Sequence, residues 1–467
     1  MRPAPMLLAP VLAMLVTLPA AAQQDPARIS DSAMETAAEL RATALQDNTG
    51  WDVTESLTTE VGPRVAGSEA DARAVAWAKA KFEELGFDKV WTEPVTFPKW
   101  ERRSQHAEVL GAHAQPLVLT ALGGSPGGTV EGQVVRFPDL ESLEKAAPGS
   151  LAGKIAFVDY RMERARDGHG YGPVSRIRYG GPSAASRAGA AGYVMRSAGT
   201  DDHRVAHTGG TRFADGVTPI PAAALSNPDA DQLARLLAID PETRVRVALD
   251  CGWDGEYTSQ NVIGEMTGGS RPDEIVLLGA HLDSWDEGTG AIDDAAGIGI
   301  TMAAAKLIAA LPERPARTIR VVAFANEEQG LHGGIAYARA HADELAKHAI
   351  MAESDFGAGR IYGFDAGVAD HADAAIARIA AALEPLGVEW RPGEGEPESD
   401  IGPFAREGAA WAWLGHDGSE YFDLHHTPDD TLDKIDPAAL RQNVAAYAVF
   451  TYLAAQAEGD FGSAPRK

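Results

Sequence analysis

A single cysteine, Cys251, in 467 residues excludes an intramolecular disulfide, so a large packed core must hold the fold instead. Aromatic residues are also sparse, at 7%. Basic residues are outnumbered: 41 Lys and Arg against 67 Asp and Glu give a formal net charge of −26. A chain this acidic repels phosphate backbones and anionic lipid surfaces, which argues against a nucleic-acid-binding role. Long apolar runs are missing too. The longest, Met6 to Leu18, falls short of the roughly 20 residues a spanning helix needs.

What is present reads as an ordinary globular protein, 45% hydrophobic and 23% charged. Its length calls for two domains, or one large domain carrying an insertion. The start, "MRPAPMLLAPVLAMLVTLPAAAQQD", sets Arg2 before the apolar run and three alanines after it, the pattern of a cleavable secretory signal over residues 1–22, cut after about Ala22. No cysteine follows those alanines to carry a lipid. The mature chain is therefore expected in the periplasm or outside the cell, with no membrane attachment.

Two helices are expected early, Ser30 to Asn48 and Ser68 to Gly86. In the second, Ser68 can cap the start, Ala74, Ala78, Phe82 and Leu85 share one face, and Gly86 can end it. "KVWTEPVTFPKW" alternates like an edge strand that tolerates proline. From about 110 to 250 the texture changes to short strand-like runs ("LVLTAL", "GQVVRF", "GKIAFVDY", "GYVMRS") between Gly, Pro and Asp turns. After "RVRVALDCGW", apolar strands "NVIGEM", "EIVLLGAHLDS" and "TIRVVAFAN" alternate with helical segments, which points to a mostly parallel mixed α/β sheet flanked by helices. The expected organisation is a discontinuous domain, 23–110 with 255–467, and an inserted β-rich domain over 111–254.

Ligands of such sheets gather at the carboxyl ends of the strands, and acids and histidines cluster there in this sequence. His281 closes "EIVLLGAH", with Asp283 placed two residues on, where it could hold the imidazole from behind. Asp293 and Asp294 precede a helix-like run, Glu327 and Glu328 close the next strand, Asp355 ends "HAIMAESD", and His425 and His426 lie in "YFDLHHTPDDTLDKID". Nitrogen and oxygen donors without thiolates suit zinc, with cobalt or manganese as substitutes. Two such ions sharing one carboxylate can polarise a carbonyl and deprotonate a water, given a general base to receive the proton.

In this order, "GAHLDS", "GAIDDAAG", "AFANEEQG", "AESD" and "FDLHHTPDDTLDKID" resemble the co-catalytic zinc exopeptidases of the bacterial leucyl aminopeptidase and glutamate carboxypeptidase type, in the branch of carboxypeptidase Q. The 111–254 segment, with "SRAGAAGYVMRS" and "IPAAALS", resembles that family's protease-associated domain. The resemblance implies two zinc ions per chain, one held by His281 and Asp355, the other by Glu328 and His426, with Asp293 bridging. Glu327 would be the general base that activates a metal-held hydroxide, Asp283 and Asp294 would support the ligands, and the Asp293–Asp294 peptide would be cis. His426 is preferred over His425 because it directly precedes "TPDDT". Ser399, Asp400 and Tyr421 fall where the family places substrate-contacting loops. Ile292, Ala295, Ala296 and Asn326 depart from the family pattern without removing a ligand. Small peptides would be the substrates, and a homodimer is hinted at.

Other signals are weaker. "GGSPG", residues 123–127, matches a serine-hydrolase elbow, but Pro126 lacks the N–H that an oxyanion hole would need there. His203 and His207 have helical ligand spacing in "DDHRVAHTGG" yet read as a solvated loop. The alternatives to the exopeptidase are a single-zinc acyl transferase resembling glutaminyl cyclases and a non-catalytic receptor-like module.

Overall fold

The structure, a computed structural model, describes residues 26–464, so the expected signal segment 1–22 lies outside the described residues. The strands in chain order begin with β1 (Lys89–Val109), β2 (Gln115–Leu117), β3 (Leu119–Ala121), β4 (Gly128–Phe137), β5 (Ile155–Val158), β6 (Gly192–Arg196) and β7 (Ala222–Leu225). They continue with β8 (Arg244–Met266), β9 (Arg271–His281), β10 (Arg317–Phe324), β11 (His348–Glu353), β12 (Ile361–Gly367), β13 (Glu389–Trp390) and β14 (Trp411–His416). Strand order is β13-β12-β14-β11-β9-β10-β8-β4-β5-β6-β7-β3, with β1 along the edge of β8.

The centre of the first half is parallel: β9 pairs with β10 and β11, and β11 with β14, all in one direction. Antiparallel pairings of β8 with β10 and of β12 with β14 flank it, which makes the sheet mixed. Both faces are covered. On β9, Val276, Leu278 and Ala280 enter one apolar cluster while Ile275 and Leu277 enter another, the period-two split of a strand buried on both sides. The first face is covered by helices α1 (Asp31–Ala44), α2 (Thr49–Ser56) and α3 (Glu69–Glu84), together with two later helices, Ala296–Ala309 and Pro437–Gln456. Ser30 and Ser68 cap α1 and α3 through hydrogen bonds from Ala33 N and Asp71 N, as their positions suggest.

The 111–254 segment is less β-rich than expected. Strands β4 to β7 run parallel, and they carry α4 (Leu140–Glu144), α5 (Tyr171–Arg187) and α6 (Asn227–Ile239). Ile155, Phe157, Val194 and Leu225 pack against Leu233 and Leu236 of α6, whereas Ala156, Val158, Tyr193 and Met195 pack against Val174 and Ile177 of α5. Helix α5 escapes a sequence reading because Gly180, Gly181 and Pro182 look like a turn; Gly181 is needed there because a side chain would collide with Tyr193. The segment also lacks a clean end at 254. Strand β8 continues through Gly252 and Gly255 to Met266, paired with β1 over both lobes, with register shifts at Pro98/Trp100 and Arg102/Ser104.

The remaining helices are α7 (Ala296–Ala309), α8 (His332–Ala340), α9 (Asp373–Leu383), α10 (Gly402–Arg406), α11 (Tyr421–Leu424) and α12 (Pro437–Gln456). Helix α7 crosses α2 at bare backbone: a Cβ on Gly299 would lie 2.5 Å from the Gly50 carbonyl oxygen and closer still to Thr54 Oγ1. Gly299→Ala is expected to cost about 1–3 kcal/mol of stability, measured by urea unfolding, because neither helix can retreat from a packed core.

Candidate metal centre

Parallel pairing brings the carboxyl ends of β9, β10 and β11 to one edge. His281 ends β9 opposite Phe324, Glu327 and Glu328 follow β10 by three and four residues, and Asp355 follows β11 by two. Asp293 and Asp294 stand before α7, joined by a cis peptide bond. The loops are held by buried polar groups. Arg64, fully buried, donates to the carbonyls of Leu282 (2.6 Å), Thr289 (2.6 Å) and Gly290 (2.9 Å), which fixes the chain between His281 and Asp293. Asp430 accepts from Ala291 N and Ile292 N, both at 2.7 Å, immediately before Asp293. Asp283 stands behind His281, its Oδ1 3.7 Å from Nδ1, and has a further job. Its carboxylate accepts from Glu327 N (3.0 Å) and Glu328 N (3.4 Å), while it is its backbone carbonyl that accepts from His281 Nδ1 (3.1 Å). Asp294 accepts from His281 N and Gly297 N.

Five of the expected residues meet as two triads that share Asp293: His281, Asp293 and Asp355, and Asp293, Glu328 and His426. Within them, His281 Nε2 lies 3.0 Å from Asp293 Oδ1 and 3.2 Å from Asp355 Oδ1, and His426 Nε2 lies 3.1 Å from Asp293 Oδ2 and 2.8 Å from Glu328 Oε2. Bonds of about 2.0–2.1 Å to a tetrahedral zinc set its donor atoms about 3.3 Å apart, so these spacings match the edges of a coordination sphere. Asp293 Oδ2 and Glu328 Oε1 are buried without a hydrogen-bond partner, which a structure tolerates where a cation is the intended partner.

The electrostatics agree. Burial, reinforced by Asp355, pushes Glu327 well above the usual carboxylate range, and burial with Asp293 pushes Glu328 to about 7. Burial would raise Asp293 as well, but His425, His281 and His426 hold it well below its ordinary value. Against the pull of burial, Glu328 and Asp293 keep His426 protonated up to about 9. Acids drawing protons onto imidazoles mark a site built to hold cations.

The cleft over the triads has a volume of about 340 Å³. Glu327, Ser399 and Tyr421 line it; Asp400 does not, because its buried carboxylate turns away to accept from Gly334 N (2.8 Å) in α8. Tyr171, Arg178 and Tyr179 of α5 and Phe356 complete the walls. His207, read as a solvated loop residue, is in fact buried, with Nε2 2.8 Å from His425 Nδ1, whereas His203 is exposed. The polar run around His207 conceals this, and no local pattern could have disclosed a contact with a residue 218 positions away. Positive φ at Asn326 (52°) and His426 (58°) shows backbone strain concentrated at the site.

The fold has solved counterparts. A peptidase M28 precursor from Shewanella amazonensis SB2B aligns with a TM-score of 0.90 at 51% identity, over 94% of this chain and all of that one. BSAP, a zinc aminopeptidase from Bacillus subtilis, shares the fold with a TM-score of 0.62 at 20% identity, over 86% of this chain and 94% of its own. The 51%-identical precursor, with the family match and the relative that follow, defines the class as a metallopeptidase. The sequence profile of peptidase family M28 matches residues 261–451, and human (Homo sapiens) carboxypeptidase Q is 31% identical over 405 residues, 86% of this chain and 84% of that protein. The chain belongs to peptidase family M28.

Arg64→Met is expected to lower stability by about 3 kcal/mol or more, since it strands buried carbonyls. Urea unfolding and the metal content of the purified variant check this; normal values for both would mean the 282–290 loop does not depend on Arg64.

Proposed function

We propose that this protein is an exported exopeptidase that uses two zinc ions to hydrolyse small peptides. The observation that carries the reading is the pair of donor triads sharing Asp293. One ion would be held by His281, Asp355 and Asp293, the other by Glu328, His426 and Asp293. Segment 111–254 is proposed as a protease-associated-like domain inserted in the catalytic one, and residues 1–22 as a cleaved signal. The names of the relatives, carboxypeptidase Q and zinc aminopeptidase, support an exopeptidase on peptide substrates.

Bound zinc supplies an electrophile for the scissile carbonyl and lowers the pKa of the attacking water. Glu327 takes the proton of that water and passes it to the leaving amine, so no covalent intermediate is required. Two features suit it to both steps. Its backbone N–H is anchored on Asp283, and burial raises its carboxyl well above the usual carboxylate range. Tyr421 and Ser399 line the cleft; the Tyr421 hydroxyl would donate to the oxygen that gains charge, and Ser399 would meet a substrate terminus. Tyr171, Phe356 and Phe422 line the same cleft and would restrict water around the reacting bond.

Glu327→Gln should retain two zinc ions and lose at least about 100-fold in kcat on dipeptides; parent-like turnover would remove Glu327 from the role. Glu328→Gln should instead lose metal, read by elemental analysis. A panel of dipeptides, longer peptides and N-blocked peptides, assayed with zinc supplied, tests the substrate end: cleavage of N-blocked peptides alone contradicts an aminopeptidase or dipeptidase. A zinc-to-protein ratio near one would favour a single-zinc acyl transferase, and a ratio of zero a binding module.

A further inference from the structure

A second cavity opens beside the metal cleft, and the proposed chemistry leaves it unused. It has a volume of about 440 Å³, and Tyr179 lines both spaces. The two also meet across backbone. A Cβ on Gly210, in the wall of the second cavity, would stand 3.6 Å from the Glu328 carbonyl oxygen, and one on Gly330, in the wall of the metal cleft, 3.6 Å from Arg212 Nη2. Tyr179, Arg212 and Trp253 reach the second cavity from the 111–254 segment, and Gln329 reaches it from the chain just after Glu328.

Three features mark the cavity as built to hold part of a peptide. Four large hydrophobic side chains are exposed among the described residues, and two of them, Tyr179 and Trp253, line this one space. The Gln329 amide has both Oε1 and Nε2 buried without a hydrogen-bond partner, and a peptide unit offers the donor and the acceptor that match them. Arg212 is exposed and has no ion-pair partner among the described residues, in a chain of net charge −26. A guanidinium left free in this way is suited to a carboxylate, which it can meet with two parallel N–H donors.

The charges around the cleft give the occupant a direction. An ammonium terminus is served elsewhere, because Glu398 lines the metal cleft and, with Glu394 and Glu396, an acidic cavity adjoining it. Size matters as well: at about 340 Å³ the metal cleft is near the lower bound for ligand pockets, roughly 300 Å³, so a substrate longer than a dipeptide needs further room. We propose that the second cavity is the subsite for the carboxyl end of peptides of three or more residues: Gln329 pairs with their backbone, Tyr179 and Trp253 cover an apolar terminal side chain, and Arg212 binds the terminal carboxylate. The inference rests on the peptidase reading of the metal cleft and adds to it a preferred substrate.

The test compares alanyl-alanyl-phenylalanine with its C-terminal amide, and alanyl-phenylalanine with its amide, using the full chain supplied with zinc. The parent should cleave the tripeptide acid with a kcat/KM about 10-fold or more above its amide, the size expected of a charge-assisted hydrogen bond. Arg212→Gln should bring that ratio close to unity and Arg212→Lys should keep part of it, while the ratio for the dipeptide pair moves in neither variant. Trp253→Ala should raise KM for this tripeptide more than for alanyl-alanyl-glycine. A tripeptide ratio near unity in the parent, a ratio that survives Arg212→Gln, an equal fall in the dipeptide pair, or cleavage of the dipeptide alone overturns the proposal and leaves the peptidase reading intact. A sedimentation coefficient that shifts with Arg212→Gln while the ratio stays would make the cavity a contact between copies of the chain, and this too overturns it. A parent that cleaves none of the peptides defeats the reading on which the proposal rests.

Discussion

The constraint on which the rest depends is the cost of burying negative charge. Asp293, Asp294 and Glu328 sit almost wholly out of solvent at the edge of one sheet, with Glu327 and Asp355 beside them. Isolated carboxylates in such a place would take up protons. The protein counters with backbone N–H groups aimed at Asp283, Asp294 and Asp430, with imidazoles against Asp293, and with Arg64 beneath the loop. Those arrangements hold the oxygens in place while leaving Asp293 Oδ2 and Glu328 Oε1 unbonded. Much of the surrounding architecture, from the capped loops to the parallel register, serves to keep mutually repelling groups a few ångströms apart.

Legibility in the sequence followed physical locality. The sheet could be read because β9, β10 and β11 are short, apolar and bounded, and acids placed after such strands fall at a common edge once the strands run parallel. The helix cap Ser68 was legible for the same reason, since it interacts with a residue three positions on. Helix α5 was not, because Gly181 makes room for Tyr193, a partner from strand β6, and with Gly180 and Pro182 locally imitates a turn. Asp283 was placed correctly beside His281, yet its carboxylate serves the Glu327–Glu328 backbone, a contact set by tertiary register. His207 was misread outright. Its polar neighbours imply exposure, and only the docking of one lobe on the other buries it.

That docking gives the 111–254 segment a part in the site beyond flanking it. Thr208 N donates to the His426 carbonyl, Thr208 O faces His426 Nδ1 at 3.4 Å, and Arg164 pairs with Asp423 at the base of the same loop. Tyr171 stacks on Phe422 and meets His425 edge-on. The histidine loop is thus pinned from two lobes at once, which accounts for how His426 is held at a φ that a non-glycine residue seldom adopts.

The β1–β8 ribbon carries an implication for how such a chain can vary. Because these two strands stay paired from one lobe to the other, the 111–254 segment is joined to the rest by a two-stranded ribbon rather than by a linker at which it could swing freely or be exchanged as a cassette. Relative motion must be absorbed by twisting of a two-stranded ribbon, and the places that yield most readily are the irregular pairings near Pro98 and Arg102. A recombination that moved the outer lobe between relatives would have to cut both strands there in register. A crossover one residue out would turn each strand's inward side chains toward solvent.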